Sequence, residues 1–124
     1  MPAARNPLRI LCVEDNPLLV MQLEMVIEEM GHIFVGSADR LQDVKSAVER
    51  FDFDIALVDI DLADGRTGGE AAQWLESHGK PSLFITGQEQ LAGAYEHSSL
   101  GMVVKPVSEA ELRAIIKEIS IRLH

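Results

Sequence analysis

The chain has 124 residues, a length for one domain, and 47% of them are apolar, which is enough for one ordinary core. With 20 acids against 11 Lys and Arg the net charge is −9, which argues against a nucleic-acid partner, since a phosphate backbone needs a basic surface. The lone Cys12 permits no internal disulfide and suits a reducing, cytoplasmic setting, and no stretch is apolar enough for a membrane span or, in "MPAARNPLR", for a signal core.

"RILCV" (9–13) is a short apolar run followed at once by acids, and it reads as a buried strand; Cys12 within it is a small core residue. Asn16 and Pro17 open a helix as an N-cap and a first-turn proline. Val20, Leu23, Ile27 and Met30 continue it, and Gly31 closes it. "IFVGS" (33–37) is the second strand. Leu41, Val44, Val48 and Phe51 mark the second helix, and "DIALVD" (54–59) the third strand. Thr67 and Glu70 form a T-x-x-E capping box leading into a helix through Trp74 and Leu75, stopped by Gly79 and Pro81. "SLFIT" (82–86) is the fourth strand. Residues 88–97 make a short, weakly patterned helix, and "GMVV" (101–104) is the fifth strand. Ser108 and Glu111 form a second capping box, after which Leu112, Ile115, Ile119 and Leu123 line the last helix. The alternation predicts a parallel sheet covered by helices on both faces.

In open α/β sheets, sites form beyond the carboxyl ends of the strands. Glu14 and Asp15 follow strand one, and Asp59 and Asp61 follow strand three. Thr86 ends strand four and Lys105 ends strand five. Glu14, Asp15, Asp59, Thr86 and Lys105 therefore converge on one rim. Three crowded carboxylates repel one another and call for a hard divalent cation such as Mg²⁺. Lys105 is a mobile point charge suited to a phosphoryl oxygen, Thr86 a hydroxyl donor for another, and a carboxylate can itself accept a phosphoryl group. The peptide bond before Pro106 is of the kind that adopts cis, which would aim the lysine inward.

"VED" (13–15), "LVDIDL" (57–62), "FITG" (84–87) and "VKP" (104–106), in this order and across nearly the whole chain, resemble the receiver domain of two-component response regulators, the CheY-like family. The resemblance implies a flavodoxin-like (βα)5 fold with strand order 2-1-3-4-5. It implies Asp59 as phosphoacceptor and Glu14 and Asp15 as the acidic pair around Mg²⁺, with the main-chain carbonyl of Asp61 as a further metal ligand. Thr86 and Lys105 would sense and bind the phosphoryl group. A sensor histidine kinase or histidine phosphotransfer protein would be the donor. The domain would catalyse its own phosphorylation and slow dephosphorylation, acting as a signalling module more than a turnover enzyme. "PSLFITG" (81–87) is similar to the signature of the FAT GUY subgroup of alphaproteobacterial receivers, often stand-alone. Residues 1–124 are accordingly expected to be a single receiver domain without an output domain, a monomer or weak dimer, signalling by protein contact or onward phosphotransfer.

Two features depart from that pattern. Met102 stands where receivers often carry a switching aromatic, three places before the lysine. "LADGRTGGE" (62–70) replaces the usual "MP", and Gly65, Gly68 and Gly69 predict a mobile loop. Asp64 is a turn residue before Gly65, the Asp61 side chain is expected to face solvent, and Trp74 to pack on its helix. His32, His78, His97 and His124 lie in separate elements without ligand spacing, and His124 borders the end of the chain as a removed tag would leave it. "DIDLADG" (59–65) also resembles the D-x-D motif of haloacid-dehalogenase-type phosphatases, with Asp59 as nucleophile and Asp61 as general acid. In that family the motif stands near the chain start and the acidic pair follows it, the reverse of the order here.

Overall fold

A computed structural model describes residues 6–123; the readings of the extreme N-terminus and of His124 lie outside the described residues. The elements run β1 (Arg9–Val13), α1 (Pro17–Glu29), β2 (Ile33–Ala38), α2 (Leu41–Arg50), β3 (Ile55–Val58), α3 (Gly68–Ser77), β4 (Ser82–Thr86), α4 (Glu89–Gly93), a 3-10 turn (Glu96–Ser98), β5 (Met102–Val104) and α5 (Glu109–Arg122). All strands pair in parallel in one sheet of order β2-β1-β3-β4-β5, the flavodoxin-like arrangement.

The two-residue period of a strand explains the two layers. Leu11, Val13, Ala56, Val58 and Phe84 point to one face, where Val44 and Ala47 of α2 and Ala71, Ala72 and Leu75 of α3 cover them. Their neighbours Ile10, Cys12, Ile55, Leu57, Leu83 and Ile85 point to the other, under Leu23, Val26 and Ile27 of α1 and Leu112, Ile116 and Ile119 of α5. Both faces of β3 and β4 are thus buried throughout, while the edge strands β2 and β5 are only partly covered. Each large core side chain contributes roughly 1.5–3 kcal/mol, so the central strands, not the edges, anchor the fold. Among the described residues no helix is long and apolar enough to cross a membrane.

Local signals set most helix ends. The Asn16 side chain accepts from the Leu18 N–H, with Pro17 as first helical residue. Ser108 accepts from the Glu111 N–H at 3.1 Å while the Glu111 side chain accepts from the Ser108 N–H at 3.2 Å, a complete capping box. Three readings need correction. The Thr67 side chain makes no cap hydrogen bond to α3; its hydroxyl donates to Asp64 Oδ1 at 2.6 Å instead, because the charged acceptor nearby is the stronger one. The inner face of α5 runs Leu112, Ile116, Ile119, and Ile115 flanks it half-buried. Phe51 does not continue α2 but ends it in extended conformation, its N–H donating to the Ala47 carbonyl.

Candidate functional site

β1 and β3 are neighbours with Val13 opposite Val58, and the Asp59 N–H donates to the Val13 carbonyl at 2.9 Å. That register sets the residues leaving the two strand ends, Glu14 and Asp59, side by side. Both are acids yet only 4% and 5% exposed, a costly placement unless compensated. Lys105, leaving β5, supplies the compensation: its Nζ donates to Glu14 Oε1 at 2.6 Å and to Asp59 Oδ2 at 2.8 Å. Its peptide bond to Pro106 is cis. The Lys105 N–H donates to the Thr86 carbonyl at 2.9 Å, tying β5 to the end of β4.

One ammonium does not neutralise this rim. Asp15 is exposed beside the pair, and carboxylate oxygens of Glu14, Asp15 and Asp59 lie within 4.8 Å of one another. Burial raises the Glu14 carboxyl above its ordinary range, and the neighbouring Asp59 charge adds to this; hydrogen bonds from Lys105 and the Asn16 N–H pull the other way. For Lys105 burial would lower the pKa, but its hydrogen bonds to Asp59 and Glu14 outweigh it and hold the ammonium charged. An all-oxygen donor set with surplus negative charge and one solvent-facing member fits a hard, partly hydrated divalent cation.

Thr86 is fully buried, and its Oγ1 accepts from the Gln88 N–H at 3.0 Å. Gln88 also donates through Nε2 to Asp61 Oδ2 at 2.8 Å. The Asp61 carboxylate is thus half-exposed with Gln88 and, at 3.6 Å, Arg66 as partners, and it does not join the cluster of the other three acids. Gln88 bridges two candidate residues, and nothing in its local sequence announced that; the signal is spatial. Asp64 holds the turn, accepting from Thr67 and from the Leu41 N–H, and the Thr67 hydroxyl keeps its carboxyl below the usual range.

The glycines after Asp59 correct another expectation. Gly68 and Gly69 are buried in the first turn of α3 rather than in a mobile loop. A Cβ on Gly68 would clash with the Asp59 carbonyl and stand 2.5 Å from Ile60 Cα, and one on Gly69 would collide with the Tyr95 ring. The preceding turn is fastened by Leu62 and Gly65, which exchange backbone hydrogen bonds, and by the Ala63 N–H to the Asp39 carbonyl at 2.7 Å. Met102 lies half-buried against the α2–α3 layer together with Leu91 and Tyr95.

The remaining candidates are structural. His32 is buried, and its Nδ1 accepts from the Leu8 N–H at 2.9 Å. His78 stacks on Trp74 with ring centroids 3.9 Å apart. Cys12 is fully buried, and burial with the nearby Glu14 and Glu24 charges pushes its thiol well above the ordinary range, leaving it inert.

Residues 10–117 match the family described as response regulator receiver domain. Over 120 residues the chain is 35% identical to the Phyllosphere-induced regulator PhyR of Methylorubrum extorquens, covering 94% of this chain and 45% of PhyR. Over 124 residues it is 32% identical to the Sensor protein GacS of Pseudomonas syringae pv. syringae, covering 93% of this chain and 14% of GacS. The solution structure of the Erythrobacter litoralis PhyR response regulator REC domain is 30% identical with a TM-score of 0.83, covering 94% of this chain and 92% of that one. The chain spans less than half the length of these curated relatives.

Proposed function

Because the chain belongs to the response regulator receiver domain family, we propose that Asp59 accepts a phosphoryl group from a phosphohistidine donor in a Mg²⁺-dependent reaction. The observation that carries the reading is the Lys105 ammonium bridging buried Glu14 and Asp59 beside Asp15. With Oδ2 held by Lys105, Asp59 keeps Oδ1 for attack; among the described residues its hydrogen bond there is a long one from the Asp61 N–H at 3.4 Å. The Oδ1–P bond forms as the P–N bond to the donor imidazole breaks, and the imidazole takes up a proton as it leaves. Lys105 then follows the charge onto a phosphoryl oxygen, and the Thr86 hydroxyl, whose oxygen already accepts from Gln88, donates a hydrogen bond to another. Glu14, Asp15 and Asp59, with the Asp61 carbonyl, would hold Mg²⁺, which when bound neutralises charge on the transferring group.

The product is an aspartyl phosphate that hydrolyses slowly, so the protein works as a switch more than as a turnover enzyme. Its donor is a sensor histidine kinase or histidine phosphotransfer protein. Residues 1–124 act as one receiver unit, and the message passes by phosphorylation-dependent protein contact or onward phosphotransfer. The test is incubation with Mg²⁺ and acetyl phosphate, then intact mass. A single phosphoryl adduct that Asp59→Asn lacks supports the reading; an adduct that persists in Asp59→Asn contradicts it.

A further inference from the structure

α4 is the shortest α-helix among the described residues. It has five residues and no side-chain cap hydrogen bond, too few to persist on helical hydrogen bonds alone. Gln88 ties its start to Asp61 and Thr86. Beyond its end Tyr95, the only tyrosine of the chain, packs with Leu91 and Met102 against the α2–α3 layer.

The Tyr95 ring sits directly on Gly69. A Cβ at position 69 would come within 2.5 Å of ring carbons Cδ2, Cε2 and Cζ. Its neighbour Gly68 sits just as closely on the main chain of Asp59 and Ile60, and the Gly68 N–H donates to the Ile60 carbonyl at 3.0 Å. Two side-chain-free residues are therefore all that separates the backbone of Asp59 from an aromatic ring of the α4 region. Close-packed contacts of this kind pass a displacement on instead of absorbing it. Met102, with a flexible thioether, offers no comparable rigid group.

We propose that Tyr95, seated on Gly69, is the aromatic latch of this switch: it holds α4 in the arrangement described above, and phosphorylation of Asp59 unseats it. The inference rests on the reading of Asp59 as phosphoacceptor. A phosphoryl group on Asp59 draws on Thr86 and on the Asp59–Asp61 main chain, so it acts on both ties of α4 together. The seat at Gly69 shifts with the start of α3, and the Gln88 bridge shifts with Thr86. The released arrangement becomes the major population. By linkage, a variant without the latch already lies nearer that arrangement and binds a phosphoryl mimic at Asp59 more tightly.

Labelling with 3-fluorotyrosine places one fluorine reporter in the 124-residue chain, at Tyr95. Mg²⁺ and acetyl phosphate are added, and the same sample is followed by fluorine NMR and intact mass. A second resonance whose share tracks the phosphorylated fraction is expected; an adduct with one unmoved resonance overturns the latch. No adduct from acetyl phosphate or from a phosphohistidine-loaded kinase contradicts the phosphoacceptor reading itself, and the latch with it. Gly69→Ala expels the ring and is expected to move the resonance without any phosphodonor; a folded Gly69→Ala with the wild-type resonance is a contrary result. Tyr95→Leu keeps an apolar group in the cluster and is expected to bind the phosphoryl mimic beryllofluoride, with Mg²⁺, roughly five-fold more tightly or more, a gain that mere loss of packing does not produce; an equal or weaker affinity overturns the proposal.

Discussion

Among the described residues Lys105 is the one ammonium paired with the two buried carboxylates, and its removal leaves both without a counter-charge. Lys105→Met is expected to lower the metal-free unfolding free energy by about 2–3 kcal/mol in denaturant titration, below the full cost for a buried pair because Lys105 is itself partly exposed. The sign of its pH dependence follows from the raised pKa. The stabilisation is fully present below the ordinary lysine value of 10.5 and is lost as pH rises beyond it through the folded-state value. An alkaline loss of stability is thus expected in the wild type and reduced in Lys105→Met. Gly68 makes the opposite kind of contribution, through the absence of a side chain. Gly68→Ala forces a methyl onto the Asp59 carbonyl and is expected to cost about 1–3 kcal/mol or more in thermal unfolding. Sequence patterning reached the first of these residues and not the second. Glu14, Asp59 and Lys105 are legible because acids and a lysine directly after apolar strands land on one rim of a parallel sheet. The role of Gly68 depends on what faces it across space, and a glycine-rich stretch by itself reads as a flexible turn.

At the scale of elements, the same four-residue pattern has two outcomes. S-x-x-E at Ser108 closes a reciprocal cap, whereas T-x-x-E at Thr67 does not, because Asp64 competes for the hydroxyl. Ser108→Ala is therefore expected to destabilise α5 by about 1 kcal/mol, read as a lower denaturant midpoint with unchanged slope. Helical phase was legible to within one residue: Leu112 and Ile119 lie inward as periodicity demands, but Ile116 and not Ile115 completes the stripe. Adjacent isoleucines leave that choice to the packing against α1, where Arg113 also pairs with Glu29. α4 was the weakest pattern and is the shortest α-helix described, consistent with an element whose position is set by Gln88 and Tyr95 rather than by its own propensity.

For the molecule as a whole, alternating apolar strands and amphipathic helices specify the doubly wound sheet, and the sheet specifies where the acids meet. Placing three carboxylates and one ammonium on that rim costs stability that a bound cation would offset. Mg²⁺ is accordingly expected to raise the melting temperature of the wild type, by the equivalent of about 2.7 kcal/mol at a hundred-fold excess over its dissociation constant, and to raise that of Asp59→Asn less. Equal stabilisation of both proteins would place the cation elsewhere. The central claim is that a single aspartate on this rim carries the phosphoryl group. Its most direct test is borohydride reduction of the phosphorylated chain, which converts an aspartyl phosphate to homoserine, followed by peptide sequencing in a mass spectrometer. Homoserine at position 59 alone is predicted; homoserine at Asp15 or Asp61 with Asp59 intact would contradict the account.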